Sequence, residues 1–330
     1  MPLTTRAFGS TGITTTAIGF GAWAIGGTWG EVTEADAKAT LNATLDAGVT
    51  FLDTADVYGD GRSERLIRDV LDSRTGPRPF VATKAGRRLD PHQAQGYTKD
   101  NLTAFVDRSR DNLGMDQLDL LQLHCPPTEV YYDPAVFHAL DALVEEGKIA
   151  RYGVSVEKVE EGLKAIAFPD VASVQIIYNI FRQRPAALFL AEAQRRGVAV
   201  IARVPLASGV LTGKMTRETA FADDDHRSFN RDGAAFDKGE TFSGVPYDVA
   251  LAAVEEIRPL VPGGATMAQM ALRWILMNEA VSVVIPGARR PDQSQANADA
   301  DALAPLPDET MEKLREIYET RIAPHVHQLW

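Results

Sequence analysis

Short apolar runs alternate along this chain with longer stretches of helical period, and several of the runs stop abruptly at a polar side chain. Residues 49–52 read as a buried strand that breaks at once into Asp53, Asp56, Tyr58 and Gly59. Residues 80–83 run into Lys84, and residues 118–123 run into His124. Further apolar runs at 149–154, 173–177, 198–202 and 281–285 have the same length and character, which suits strands buried on both faces. Between them lie helical stretches. Thr33 caps one that Gly48 ends, and residues 63–71 form the next. Thr98 caps a third that Gly114 stops, and Asp133-Pro134 opens a fourth that Gly147 ends. Residues 157–167 and 185–196 follow, the latter closed by Gly197. Strand then helix, repeated about eight times with no antiparallel signal, predicts a (β/α)8 TIM barrel in a single domain. A doubly wound sheet is the rival, but it usually needs a second domain, and no linker-like change of composition divides residues 1–330.

Three stretches depart from this rhythm. Residues 6–19 hold two short strand-like pieces around Ser10-Thr11-Gly12, a turn signal, and predict an N-terminal hairpin that caps the barrel bottom. After the apolar and glycine-rich residues 18–23, a loop is expected up to Glu31. Residues 214–246 carry three consecutive aspartates and Phe229, Phe236 and Phe242 without helical period. A loop that long inside a compact domain is usually functional or disordered. Its aromatics favour an active-site lid, with a passive surface excursion as the other reading. Residues 308–320 read as an amphipathic helix, and 322–330 as an irregular tail.

Composition narrows the function classes. The 45% hydrophobic content is that of a soluble globular chain. A net charge of −11 argues against a nucleic-acid or anionic-membrane partner. Cys125 is the only cysteine, so no intrachain disulfide can form. The first residues lack the apolar core of a signal peptide, and no run approaches the ~20 apolar residues of a membrane span. A cytoplasmic protein is expected.

Chemistry enters through the strand ends. In barrels and open α/β sheets, the carboxyl ends of the strands carry the site. Singly, each polar residue has a bland reading: Asp53 a helix cap, Lys84 a solvated charge, His124 a satisfied core histidine, Tyr58 a packing residue. Four different proton-handling groups at one end of adjacent strands make an acid–base site instead. A phenol near 10 is a weak acid at neutral pH. An ammonium beside it favours the phenolate and is expected to lower that pKa. Lys84 can supply the ammonium, Asp53 can hold Lys84 charged, and His124 can donate to a carbonyl oxygen. This set suits protonating an oxygen while another reagent attacks the carbon. No serine elbow or three-histidine metal spacing is present, so no metal is expected. A hydride-carrying cofactor is the missing reagent.

The ordered pieces Gly19-Phe20-Gly21-Ala22-Trp23, Asp53-Thr54-Ala55-Asp56-Val57-Tyr58-Gly59, Thr83-Lys84, Asp119-Leu120-Leu121-Gln122-Leu123-His124, Gly153-Val154-Ser155, Gln175-Ile176-Ile177-Tyr178-Asn179, the stretch from Pro205 to Lys214, and Ile285-Pro286-Gly287-Ala288-Arg289 carry a resemblance. From about residue 6 to residue 297 the chain resembles the aldo-keto reductases, in their bacterial and potassium-channel-β-subunit-like branch. The resemblance implies a barrel that binds NADPH without a Rossmann fold and a tetrad of Asp53, Tyr58, Lys84 and His124. Tyr58 is then the general acid in reduction of a small-molecule aldehyde or ketone. It further implies that Ser155 and Gln175 hold the nicotinamide carboxamide, and that Ala22 and Trp23 lie near the nicotinamide ribose. Leu206, Ser208 and Lys214 match the pyrophosphate contacts, with Asp53, Arg203 and Pro205 also counted to the cofactor site. Gly287, Arg289, Gln293 and Asn297 match the adenosine end, where a guanidinium can fork onto a 2′-phosphate and favour NADPH over NADH.

Three positions depart from the family pattern. Val156 stands where asparagine is common after Gly-Val-Ser. Arg203 stands where a tyrosine or tryptophan usually stacks on the nicotinamide. Ala296 replaces an acidic adenine contact. The charge of Arg203 would penalise NADP+ and favour the reduced cofactor. Two other functions stay open at this point: a cofactor-binding sensor or regulatory subunit, and a sugar or polyol dehydrogenase running oxidatively on NAD+ or NADP+. Trp23, Tyr58, His124, Trp29, Pro126, Tyr131 and the 214–246 segment are the expected walls of the substrate pocket.

Overall fold

The buried runs become the staves of a barrel. The structure is a computed structural model and describes residues 2–27 and 32–330. Eight parallel strands follow in chain order: β3 (Phe20–Gly21), β4 (Phe51–Asp53), β5 (Phe80–Ala85), β6 (Leu120–His124), β7 (Tyr152–Ser155), β8 (Val171–Ile177), β9 (Ala199–Arg203) and β10 (Val283–Val284). Parallel bridges between Ile18 and Val284 and between Gly21 and Gly287 join the last strand to the first and close the barrel. Ahead of them, β1 (Thr5–Ala7) and β2 (Thr14–Thr16) pair antiparallel as the expected hairpin. Phe8, in its turn, is fully buried between Phe51 and Phe80 with ring centroids 5.6 and 5.4 Å away. Those two residues begin β4 and β5, so the hairpin caps the amino-terminal end of the barrel.

Period two along a strand sends alternate side chains to opposite faces. Phe51, Ala82, Leu120, Ile201 and Val283 pack together with Phe8 in the barrel interior. Two residues further along the same strands come Asp53, Lys84, Gln122, Arg203 and Ile285, and His124 lies two beyond Gln122. The apolar bottom and the polar top of the interior are thus the same face of the same strands. On each strand the parity that fills the core also delivers the polar groups to the mouth.

The outer helices follow their predicted caps. The Thr33 side chain accepts from Asp36 N at the start of Glu34–Asp46, Thr98 from Asn101 N at the start of Lys99–Leu113, and Asp133 from Ala135 N before Pro134–Glu145. Two helices between the excursion and β10, Tyr247–Ile257 and Met267–Leu276, are not assigned by the sequence reading. Within the loop expected up to Glu31, Trp23–Gly26 is a short helix, and residues 28–31 of that loop lie outside the described residues. The expected irregular tail is also corrected, since Ala323–Val326 is helical and Trp330 is buried. Trp330 Nε1 donates to Asp237 at 2.8 Å, and the Arg182 guanidinium lies 4.3 Å over its ring. The end of the chain therefore braces the 214–246 excursion. That excursion is mostly irregular, with the helical turns His226–Phe229, Lys238–Glu240 and Phe242–Gly244. Among the described residues, no helix is long and apolar enough to cross a membrane.

Candidate active site

Asp53, Lys84 and His124 reach the barrel mouth from β4, β5 and β6, and Tyr58 from the turn after β4. That turn is shaped by two close approaches. A Cβ on Gly59, which has φ +60°, would lie 2.0 Å from Gly26 O, and a Cβ on Gly26 would lie 2.7 Å from Tyr58 Cβ. Glycine at both positions lets the Trp23–Gly26 helix pack directly against the tyrosine. Trp23 then stacks near Tyr58 with centroids 6.1 Å apart, and His124 meets the same ring edge-on at 5.9 Å.

Lys84 is the hub. Its Nζ donates to Asp53 Oδ1 at 2.5 Å, to Thr54 O at 2.8 Å and to Tyr58 Oη at 3.3 Å. An ammonium has three protons and no lone pair, so all three are used. Tyr58 must act as acceptor in this contact, which leaves its own proton for a group in the cavity. Asp53 is fixed on its other oxygen by the side-chain amides of Gln122, at 3.1 Å, and Gln175, at 2.7 Å. Lys84 is 1% exposed. Burial alone would lower its pKa, but the Asp53 carboxylate and the Tyr58 oxygen reverse this and raise it, so the ammonium persists. Burial, assisted by the cations Arg87, Lys84 and Arg203, pushes His124 well below the usual imidazole value, so it is neutral at physiological pH. Its Nδ1 is buried without a hydrogen-bond partner.

The phenol differs from the sequence expectation. Burial raises the Tyr58 pKa, and Lys84 opposes this without reversing it. The sequence shows the neighbouring ammonium but not the depth of burial, and here burial wins. Tyr58 is therefore a protonated phenol across the physiological range.

A cavity of about 410 Å³ opens from this cluster along the carboxyl ends of β9 and β10. Of the site residues expected from sequence, Trp23, Asp53, Tyr58, His124, Ser155, Gln175, Arg203, Pro205, Leu206, Ser208, Lys214, Gly287, Arg289, Gln293 and Asn297 line it. Lys84 lies just behind the lining. Ala22 does not line it; it is buried, and its N–H donates to Asp53 O at 2.8 Å. Several of these side chains already have partners. The Ser208 hydroxyl donates to Glu240 O at 3.1 Å and accepts from Phe242 N at 3.0 Å. Gln293 accepts from Arg289 N at 2.9 Å. Pro126 and Tyr131 are buried and do not line the cavity; Tyr131 donates to Ser155 O at 3.2 Å. Trp29 lies outside the described residues. The excursion contributes Lys214, Met215, Arg227 and Glu240 to the lining, and its His226 and Phe236 rings pack 4.7 and 5.9 Å from Trp23.

With strands, polar ends and cavity in register, the comparisons with known proteins are decisive. Residues 17–319 match the model of the aldo/keto reductase family. The chain belongs to that family. It is 31% identical to the aldo-keto reductase YhdN of Bacillus subtilis over 87% of this chain and 85% of the relative. It is 27% identical to a probable voltage-gated potassium channel subunit beta of Arabidopsis thaliana, over 96% of this chain and 97% of that one. The glycerol dehydrogenase AKR11B4 of Gluconobacter oxydans shares its fold with a TM-score of 0.76 and 28% identity, covering 98% of this chain and 96% of the other.

Within this aldo/keto reductase, the position expected to hold a stacking aromatic is the most altered part of the site. Arg203 ends β9 and is followed by Val204 at φ +53°, an uncommon conformation for a β-branched residue. Asn179 Nδ2 holds the turn by donating to Val204 O at 2.8 Å. Arg203 donates to Glu157 at 2.8 Å and to Val156 O at 3.1 Å, and pairs with Glu240 at 3.4 Å. Arg87 pairs with the same two carboxylates, with Glu157 at 3.3 Å and with Glu240 through a short bond. Two glutamates thus face the Arg203 charge that the sequence reading expects to penalise NADP+. Cys125 Sγ and oxygens of Glu157 and Glu240 lie within 4.8 Å of one another, and the two guanidiniums occupy the place a cation would take. Arg87, Glu157 and Glu240 were not singled out by sequence. The only available signal is position: Arg87 and Glu157 stand two residues past a strand end, and Glu240 lies inside the long excursion.

Proposed function

We propose that this protein is an NADPH-dependent reductase of aldehyde or ketone carbonyls, with Tyr58 as the proton donor. One observation carries the reading: Lys84 Nζ bridges Asp53 Oδ1 and Tyr58 Oη at the mouth of a cavity, so the phenol accepts from the ammonium and directs its own proton elsewhere. The residues present fit a nicotinamide dinucleotide. His124 Nδ1 and Arg203 Nε are buried polar atoms with no protein partner at the tetrad end, and Lys214 and Arg289 supply cations along the rest of the cavity. On this reading Ser155 and Gln175 face the carboxamide, and Leu206, Ser208 and Lys214 the pyrophosphate. Arg289, Gln293 and Asn297 take the adenosine end. NADPH, when bound, supplies the hydride.

The chain's own residues do the rest. Neutral His124 donates one N–H to the carbonyl oxygen, which orients the carbonyl and favours negative charge on that oxygen. Tyr58 then passes its proton to the same oxygen. An alkoxide is a much stronger base than a phenolate, so the transfer stays downhill even with the phenol pushed up by burial. Lys84 stabilises the phenolate left behind, and Asp53 holds Lys84 in place. The excursion, through Met215, Arg227, Phe236 and Glu240, acts as a lid that keeps water from the reacting atoms.

The test is carbonyl-dependent oxidation of NADPH across a panel of aldehydes, ketones and sugars. Sustained oxidation with at least one of them supports the reading. Tight NADPH binding with negligible turnover throughout the panel would favour the regulatory-subunit alternative, for which the plant relative named as a channel subunit is the specific support. Cofactor choice has its own check. Arg289→Ala is expected to weaken NADPH by roughly tenfold to a hundredfold, the value of a charge-assisted contact, and to leave NADH unchanged. Equal losses for both, measured by fluorescence titration, would remove Arg289 from the 2′-phosphate.

A further inference from the structure

Beside the tetrad lies a second group of ionisable side chains that this reaction does not use. Glu157 follows β7 and Glu240 comes from the excursion; their side chains are 11% and 5% exposed. Each carboxylate touches both Arg87 and Arg203. Oxygens of the two carboxylates lie within 4.8 Å of each other. Two like charges this close in a buried site resist ionising together, and the pair tends to keep a proton. Two guanidiniums oppose that tendency. The balance is therefore close, and one further charge nearby can tip it.

The other groups facing the pair do not decide it. Cys125 from the tip of β6 has its thiol pushed up by burial and stays neutral. Tyr131 from the turn after β6 is likewise pushed up and neutral. Arg182, after β8, bonds Ser243 O and lies over the Trp330 ring, and its charge also acts on Glu157, adding to the guanidiniums that oppose the proton. On Glu157's own element, the Glu161 carboxylate accepts from Glu157 N at 3.0 Å, and Lys158 is exposed. Tyr58 senses Glu240 as one of the charges that raise its pKa.

We propose that Glu157 and Glu240 form a second proton site, which holds one proton beside a neutral dihydronicotinamide ring and releases it to solvent when a cationic nicotinamide ring occupies the cavity. The inference rests on the reading that the nicotinamide lies against Arg203, which lines the cavity together with Glu240. Burial pushes Glu157 up to about 8, while Arg87 and Arg203 hold Glu240 low against the same burial penalty. The proton therefore belongs to the Glu157–Glu240 pair, with burial favouring its retention on the Glu157 side. The sign follows from linkage: a cationic ring lowers the pKa of the pair, so NADP+ binds better to the deprotonated form. Relative to NADPH, its affinity rises with pH and levels off above about 8. The proton lost to solvent is regained when NADPH replaces NADP+, so the overall reaction stays balanced.

Calorimetric titration of the protein with NADP+ and with NADPH, at pH 7.5 in two buffers of different protonation enthalpy, counts protons exchanged per cofactor. NADP+ is expected to release about half a proton more than NADPH, and Glu157→Gln to abolish the difference while both cofactors still bind. In the wild type alone, the ratio of NADP+ to NADPH dissociation constants is expected to fall by roughly threefold to tenfold between pH 6.5 and pH 9. Equal proton exchange, a flat ratio, or a difference that survives in Glu157→Gln overturns the proposal while leaving the reductase reading intact. Failure of either cofactor to bind overturns both.

Discussion

Tyr58→Phe is expected to lower turnover by roughly 10²–10⁴-fold, the range for loss of a positioned general acid, while NADPH affinity stays unchanged. The ring itself is held by Trp23 at 6.1 Å and by His124 at 5.9 Å, and neither contact needs the hydroxyl. Lys84 loses one acceptor but keeps Asp53 and Thr54 O. On the proposed reading the substitution removes the proton donor and little else, which separates that role from a merely structural one. Cofactor absorbance gives the turnover and fluorescence quenching gives the binding. Turnover retained within about fivefold of wild type would remove Tyr58 as donor, since a positioned acid is worth far more than that.

Lys84→Met should be damaging in a second way. Lys84 and Asp53 are 1% and 2% exposed, and among the described residues the lysine supplies the only cation bonded to that carboxylate. Removing it leaves a buried negative charge held by two neutral amides, Gln122 and Gln175. Breaking one side of a buried pair typically costs about 3–5 kcal/mol. A large drop in the denaturant midpoint is expected together with loss of turnover. Combining Lys84→Met with Asp53→Asn should restore much of the stability, because no orphan charge remains, but none of the activity. A single variant as stable as wild type would contradict the buried-pair role of Lys84.

The barrel and the tetrad were legible in the sequence for one physical reason. Strands buried on both faces leave unbroken apolar runs, and a polar residue at the end of such a run marks the strand's tip. Asp53, Lys84 and His124 each sit at such a break, and the parity of Phe51, Ala82 and Leu120 confirms that they face the same interior. What could not be read was the outcome of opposing energies. The sequence puts an ammonium near Tyr58, but the raised pKa follows from burial that only the packed structure contains. Glu240 was hidden because an irregular segment has no period to say which carboxylate turns inward. Arg203 was noticed as a departure, yet its meaning depended on Glu157 and Glu240, residues separated from it by 46 and 37 positions. The helix Ala323–Val326 was missed because four residues give too little pattern, and its consequence, Trp330 bonded to Asp237, depends on a contact 93 positions away.

On the proposed reading, hydrogen passes from the nicotinamide to a carbonyl carbon while Tyr58 protonates the oxygen. The direct measurement is mass spectrometry of the alcohol formed when the enzyme is given C4-deuterated NADPH and the carbonyl panel in ordinary water. Deuterium on the former carbonyl carbon in wild type, with labelled alcohol formed at least about a hundredfold more slowly in Tyr58→Phe, is the expected result. NADPH that binds but transfers no deuterium to any compound in the panel would contradict it.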